Sequence, residues 1–393
     1  MLNLKDLRSR WWFQCALMWL CTFILLNAAG MIGVRVLDLG QGARPNQFFS
    51  PYSIPGIWVR WDAGYYLGIA ADGYAAHPGS AGFFPFYPML ISVLYRVTGI
   101  NIFWIGMLIS NVAFLFSTLL LYKIARIIKD DHAYAMRSVL SMLIFPTSLF
   151  YFALYAESLY LFFALLGVYL ILRNRQSFLG GGLALGLASV ARPVGWLLDV
   201  VMLGEFVKRR KFDAKNLFAL AVGSVLSVLG VVIYVYYLYV VLGTFMAIPN
   251  AQASWPRQWQ FPLITYLLGL KTLIGVSLLR DNWFLYAMNA LDLLSTSFAV
   301  FIIWISFTRA KNGEFPWSLS VYSIVALLFY LSSQNEMPVP LWGMTRWVAS
   351  LFPLYFVLGN LFQNRRLQLL FFLGSGMLLI MFTAWWASGR WIG

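Results

Sequence analysis

The sequence predicts an all-α polytopic membrane protein, and three observations carry that prediction. Hydrophobic residues make up 61% of the 393 and charged residues only 11%, whereas about a quarter of a soluble domain is charged. Apolar windows of about 18 residues or more, enough to cross roughly 30 Å of hydrocarbon, recur along the chain. The basic residues behind a net charge of +14 collect in the short connections between those windows, as the positive-inside rule requires. They form no stripe interleaved with exposed aromatics, so the charge does not point to nucleic acid. Attraction to anionic headgroups or to a phosphorylated lipid fits better. No polar linker interrupts the pattern, and residues 1–393 read as one membrane-embedded domain.

Lys5, Arg8 and Arg10 precede the first apolar segment, Trp11 to Val34. It is too long for a signal-peptide core and is expected to be a retained helix. Cys15 and Cys21 lie within it, at no metal-ligand spacing and poorly placed for a structural disulfide. With the N-terminus in the cytoplasm, this helix runs outward and residues 35–99 stay outside. A helix over 101–127 returns to Lys123, Arg126 and Lys129. The pair 132–150 and 152–172 loops out and back to Arg173 and Arg175. A shorter pair, 178–191 and 193–207, is hinged at Arg192-Pro193 and ends at Lys208-Arg209-Arg210-Lys211. Next come 216–242, an external segment over 243–282, and helices over 284–308, 316–333, 346–361 and 367–387, for about eleven spans. So sorted, 18 Lys/Arg fall inside and 10 outside, which supports the orientation.

Two interfacial helices are expected in the first external segment. One runs over 58–72, stopped by Gly73, with Asp62, Tyr66 and Ile69 on one stripe. The other follows Pro85 and Pro88 and is too short to span. Gly180, Gly181, Gly182, Ala184, Gly186 and Ala188 give one helix a small-residue face suited to close packing in a membrane. No strand precedes them, as a phosphate-binding glycine loop would require.

Few residues here can carry chemistry. Asp62 lies among aromatics at the outer surface, in Arg60-Trp61-Asp62, as either an acid paired with Arg60 or a general base for an attacking hydroxyl. Arg192, at a helix end before Pro193, either snorkels to headgroups or holds a lipid phosphate through paired hydrogen bonds. Glu157, near the outer end of a helix pair, either caps a buried arginine or contacts substrate, and Arg346, opening an inward-returning helix, is similar. Buried charges need partners, so an acid–arginine network at the outer surface is expected. Trp255 and Trp259 offer flat faces to a sugar ring, or serve as an interfacial belt. With two histidines in the chain, a histidine metal site or a Ser-His-Asp triad has little material. No cofactor is implied, and no carboxylate cluster demands a divalent metal, although Asp62 with Glu157 could hold one.

These residues resemble the PIG-V family, which uses dolichyl-phosphate mannose to add the second mannose of the GPI precursor and has bacterial relatives. The resemblance rests on Arg60-Trp61-Asp62 with Tyr66, Phe83 to Pro88 including Tyr87, Tyr155-Ala156-Glu157-Ser158, Ala191-Arg192-Pro193-Val194-Gly195, and Arg346-Trp347 before Phe352-Pro353-Leu354. The family pattern has tyrosine where Trp347 stands. The resemblance implies the GT-C fold, with an external first loop bearing the catalytic carboxylate and a polyprenyl-phosphate sugar as donor.

Together these readings predict an inverting mannosyltransferase. Asp62 would be its base, Arg192 and Arg346 would hold the donor phosphate, and Arg60, Trp61, Tyr66, Tyr87, Glu157, Trp255 and Trp259 would contact substrate. The acceptor would be a lipid or glycolipid. No Asn-x-Ser/Thr sequon occurs, compatible with a bacterial plasma membrane. The endoplasmic reticulum would replace it in a eukaryote, with the site on the external or luminal side. A transporter or flippase of lipid-linked sugars is the rival. It needs midplane ionisable groups and repeated halves; no repeat is evident, and only Asp199 and Asp292 suit it.

Overall fold

Helices dominate the computed structural model, which describes residues 10–392 except 41, 43–48, 174–176, 211, 254, 276–281 and 363. Lys5, Arg8, Arg44, Arg175, Lys211 and Arg280, counted above toward orientation, lie outside the described residues.

Five helices are long and apolar enough to cross a membrane: α1 (Trp11–Val36), α5 (Ile102–Ile128), α11 (Ala214–Leu242), α14 (Trp283–Lys311) and α18 (Arg365–Ala387). The chain is an integral membrane protein. Burial ranks these helices. Over half of the apolar window of α5 (56%) is covered by protein, against 17% for α11. So α5 is central, while α11 turns most of its surface outward, as lipid-facing helices do.

Between α1 and α5 lie α2 (Ile54–Trp58), α3 (Ala63–Ala76) and α4 (Phe86–Thr98). The expected helix over 58–72 therefore begins five residues late. The loop 59–62 is held out of helical conformation, with Trp61 at φ +51°. Gly73, at φ +77°, breaks α3 where a stop was expected, since only glycine takes that conformation without strain. The second short helix, α4, is present, with the left-handed Gly99 at its end.

Several expected spans are assembled from pieces. Where one helix was expected over 132–150, the chain forms α6 (His132–Leu143) and α7 (Leu149–Phe152). Pro146 interrupts the ladder. Residues 153–156 form a buried bend before α8 (Glu157–Arg173) begins. After α9 (Phe178–Ala191), a 3₁₀ turn over Pro193–Leu198 leads into α10 (Asp199–Arg209). The expected helix over 346–361 is α16 (Met344–Ala349) and α17 (Pro353–Leu358), divided at Pro353. Broken backbone at membrane depth is tolerated where protein satisfies its polar groups. Here Thr147 Oγ1 donates to the Thr345 carbonyl (3.0 Å), and Tyr151 and Tyr355 both donate to Ala349 (2.7 and 2.6 Å).

The segment after α11 carries α12 (Ala247–Ala253), strand β1 (Arg257–Trp259) and α13 (Pro262–Ile274). α14 and α15 (Trp317–Leu331) then lead to strand β2 (Ser333–Asn335), which pairs antiparallel with β1, Arg257 opposite Asn335. This short ribbon ties the segment after α11 to the one before α16.

The small-residue face of α9 packs as expected. A Cβ on Gly182 would overlap the backbone of Gly223 on α11, with Cα 2.6 Å away, whereas one on Gly180 meets nothing nearer than Leu170 at 3.6 Å. Gly182→Val should cost about 1–3 kcal/mol or more through overpacking, read as a lower melting temperature in detergent. Gly180→Val should melt with the wild type, which checks that the cost comes from the α9–α11 contact.

Candidate active site

The loop 59–62 is fixed by one buried tyrosine. Tyr155, from the bend before α8, accepts a hydrogen bond from the Asp62 amide (3.1 Å) and donates to the Arg60 carbonyl (3.0 Å). Between them, Trp61 holds its left-handed conformation at a cost of about 1–3 kcal/mol. Its ring meets Trp391 edge-on at 5.4 Å, and its buried indole N–H has no hydrogen-bond partner among the described residues. Strain of this kind must be over-determined by its surroundings, and it adjoins the acid singled out from the sequence.

Asp62 belongs to a chain of four charges. Arg346 Nη1 donates to Asp62 Oδ2 at 2.6 Å, and Arg346 Nε donates to Glu157 Oε1 at 2.6 Å. Arg346 Nη2 contacts the same glutamate oxygen. Arg192 Nη1 also donates to it, at 2.7 Å. The side chain of Glu157 is 3% exposed and that of Asp62 13%. Local sequence explains the placement: Glu157 opens α8, where the helix dipole favours an acid, and Arg192 ends α9, where it favours a cation. The Arg346 guanidinium also lies against the rings of Tyr155 (4.7 Å) and Phe150 (4.9 Å). The acid–arginine network expected from the need to pair buried charges is present.

Tyr66 faces this chain. Its ring stands edge-on to Phe83, Tyr87 and Tyr155, at 5.3, 5.2 and 6.2 Å. Burial pushes the pKa of its hydroxyl up, and the neighbouring Glu157 carboxylate adds to the shift. Trp255 meets Tyr65 and Phe83 edge-on. With Tyr65, His77, Gly79 and Ser80 it lines a cavity of about 300 Å³. Tyr65, which lines it, is three residues beyond Asp62 at the start of α3.

Other sequence-predicted contacts are placed differently. Arg60 does not pair with Asp62. It donates to the carbonyls of Ala387 (2.8 Å), Pro51 (3.2 Å) and Val59 (3.4 Å), bracing the loop against the end of α18. Burial draws its pKa down to about 10. The Tyr87 hydroxyl is engaged by the Gly106 carbonyl (2.9 Å) and Ser110 (2.7 Å), which locks α4 onto α5. Trp259 is 80% exposed on β1, apart from the four charges.

The acids that suited a transporter have local partners. Asp292 accepts from the Thr345 amide at 2.7 Å, one residue before Arg346, and Asp199 accepts from Ser227 at 3.2 Å. Asp62 and Glu157, the pair considered for a divalent ion, are bridged by Arg346. Among the described residues no three His, Cys, Asp or Glu side chains cluster.

Sequence reasoning gave Arg257 no role, named Tyr155 only within a motif, and weighed Asp292 only for a transporter. Arg257 lies in Trp255-Pro256-Arg257-Gln258-Trp259, noticed only for its aromatics; a lone arginine between two tryptophans was the available signal.

The fold is similar to that of solved proteins. ArnT from Cupriavidus metallidurans, solved bound to undecaprenyl phosphate, superposes with a TM-score of 0.52 at 14% identity, covering 94% of this chain and 76% of that one. Its apo structure gives 0.51 at 13% identity, covering 94% and 75%. An oligosaccharyltransferase from Archaeoglobus fulgidus gives 0.45 at 14% identity over 94% of this chain and 53% of its own. No curated protein sequence matches significantly. The fold is that of the GT-C glycosyltransferases. The family profile Mannosyltransferase (PIG-V) matches residues 52–312, about two-thirds of the chain, and includes Asp62, Glu157 and Arg192. The chain therefore belongs to the PIG-V family of mannosyltransferases.

Proposed function

We propose that this protein transfers mannose, with inversion, from a polyprenyl-phosphate carrier to a hydroxyl of a lipid or glycolipid at the external membrane face. The observation that carries the proposal is the Asp62 carboxylate, held by one oxygen on Arg346 at the end of a charge-balanced chain. Its Oδ1 has no hydrogen bond among the described residues, leaving an oxygen to take the acceptor's proton. Family membership supports mannose, and the undecaprenyl phosphate bound by ArnT supports the carrier. Charge asymmetry supports the external side.

In the reaction, the acceptor oxygen attacks the anomeric carbon as Asp62 removes its proton. The carbon–oxygen bond to phosphate breaks in the same displacement, and the bonding pair leaves with the lipid phosphate. Arg346 and Arg192, fixed before the reaction by Glu157, stabilise that growing charge. Trp255 and Tyr65 supply aromatic surface for the acceptor's sugar in the adjoining cavity. The domain works as one unit, with the 35–99 and 243–282 segments both contributing to the site.

Purified protein given polyprenyl-phosphate mannose and glycolipid acceptors should form a product of inverted anomeric configuration, read by NMR. Asp62→Asn should lower kcat by about 10²–10⁴-fold, the usual contribution of a general base, with a smaller loss of melting temperature than Glu157→Gln because Arg346 keeps its bond to Glu157; a wild-type rate would remove Asp62 from that role. Glu157→Gln should behave differently. Removing one partner of a buried ion pair costs about 3–5 kcal/mol, so melting temperature should fall with activity. Arg192→Ala should raise KM for donor more than for acceptor.

A further inference from the structure

Arg257 stands apart from the other arginines around Asp62. Arg192 and Arg346 are each paired with carboxylates, and Arg60 spends its donors on three carbonyls. Arg257 Nη2 donates to the Trp342 carbonyl at 3.0 Å, but its Nη1 is buried with no hydrogen-bond partner among the described residues. A buried, charged donor left unpaired is expensive and calls for an explanation. Asp62 and Asp292 both act on Arg257 electrostatically, yet neither forms an ion pair with it; their carboxylates are engaged by Arg346 and by the Thr345 amide.

The surroundings hold this guanidinium in place rather than let it escape. It lies 4.5 Å from the ring centre of Trp347, itself stacked on Tyr330 at 5.2 Å. The β1–β2 ribbon fixes its backbone, with Glu336 donating to Pro256 at 3.0 Å and Gln260 to Ser332 at 2.9 Å. Trp347, where the family pattern has tyrosine, thus gives Arg257 a broad face beside Arg346. Among Asp62, Glu157, Arg192 and Arg346 the charges balance, and Arg257, against the residue that follows Arg346, is a further cation with a donor unused among the described residues.

We infer that Arg257 is an anion-binding residue of this site, its free Nη1 completing the grip on the phosphate of the lipid-linked donor. The inference rests on the donor proposed above and adds a third arginine, from the segment after α11. Planar recognition of phosphate by a guanidinium suits the residue, and lysine would reproduce the charge without the fork.

The test is equilibrium binding of undecaprenyl phosphate to the full-length protein in nanodiscs, with inorganic phosphate and phosphatidylglycerol as separate probes. Arg257→Ala should weaken undecaprenyl phosphate about 10- to 100-fold, the loss of a charge-assisted hydrogen bond. Its melting temperature without ligand should be unchanged or higher. Arg257→Lys should fall between the two and keeps the proposal testable if the alanine variant misfolds. Weaker phosphatidylglycerol binding with undecaprenyl phosphate unaffected would make Arg257 a headgroup contact and overturn the inference. Unchanged affinity for all three probes would overturn it as well, leaving the donor assignment intact. A wild-type protein that does not bind undecaprenyl phosphate would instead remove the donor assignment, and this inference with it.

Discussion

One carboxylate oxygen organises the centre of this protein. Glu157 Oε1 takes hydrogen bonds from Arg192 and Arg346 inside a helical bundle, where an unpaired charge is prohibitive. To bring both guanidinium groups to that oxygen, the chain must end α9 at Arg192 and insert the short α16 that carries Arg346. A pair of continuous helices would aim these side chains according to helical register alone. Interrupting them lets α8 begin at the glutamate, with the dipole assisting it.

The interruptions bring their own requirement. Backbone carbonyls around 142–156 and 345–349 lose helical partners within the bundle and need other donors. Thr147, Tyr151 and Tyr355 donate to the carbonyls of Thr345 and Ala349, tying the two broken segments together, while Ser148, Asn111 and Ser110 donate to those of Met142, Phe152 and Tyr155. Asp292 adds the Thr345 amide from α14. Arg346 therefore stands on backbone that is anchored from three elements. Asp62 is different in kind: it sits on a loop anchored by Tyr155, beside a strained tryptophan, with one carboxylate oxygen unengaged among the described residues. Glu157 is the counter-ion that fixes the arginines.

Much of this was legible in the chain. Composition gave the membrane class, and the family resemblance gave the fold. The requirement that buried charges be paired brought Asp62, Glu157, Arg192 and Arg346 into one expected network. Which acid pairs with which arginine was not legible. Arg60 is two residues from Asp62 and turns to three carbonyls, while Arg346 is distant in sequence and makes the contact. Pairing of this kind is decided by tertiary packing, which hydropathy does not encode. The same limit applies to helix 132–150 and helix 346–361, whose apolar character reads as continuous although proline divides both.

Trp347 shows how an aromatic residue becomes informative once placed in space. As a letter it marks only the position after Arg346. In the fold its ring lies between Tyr330 and the guanidinium of Arg257, which arrives from the far side of the chain on a three-residue strand. A large aromatic face gives a cation more surface to rest on, so Trp347 and Arg257 belong to one local solution. The ribbon matters for the same reason. Two strands of three residues add little to stability, but they fix the register of Arg257 against the segment that delivers Arg346. A helix bundle orients side chains along its axis; here the small sheet supplies the crosswise constraint that the bundle lacks.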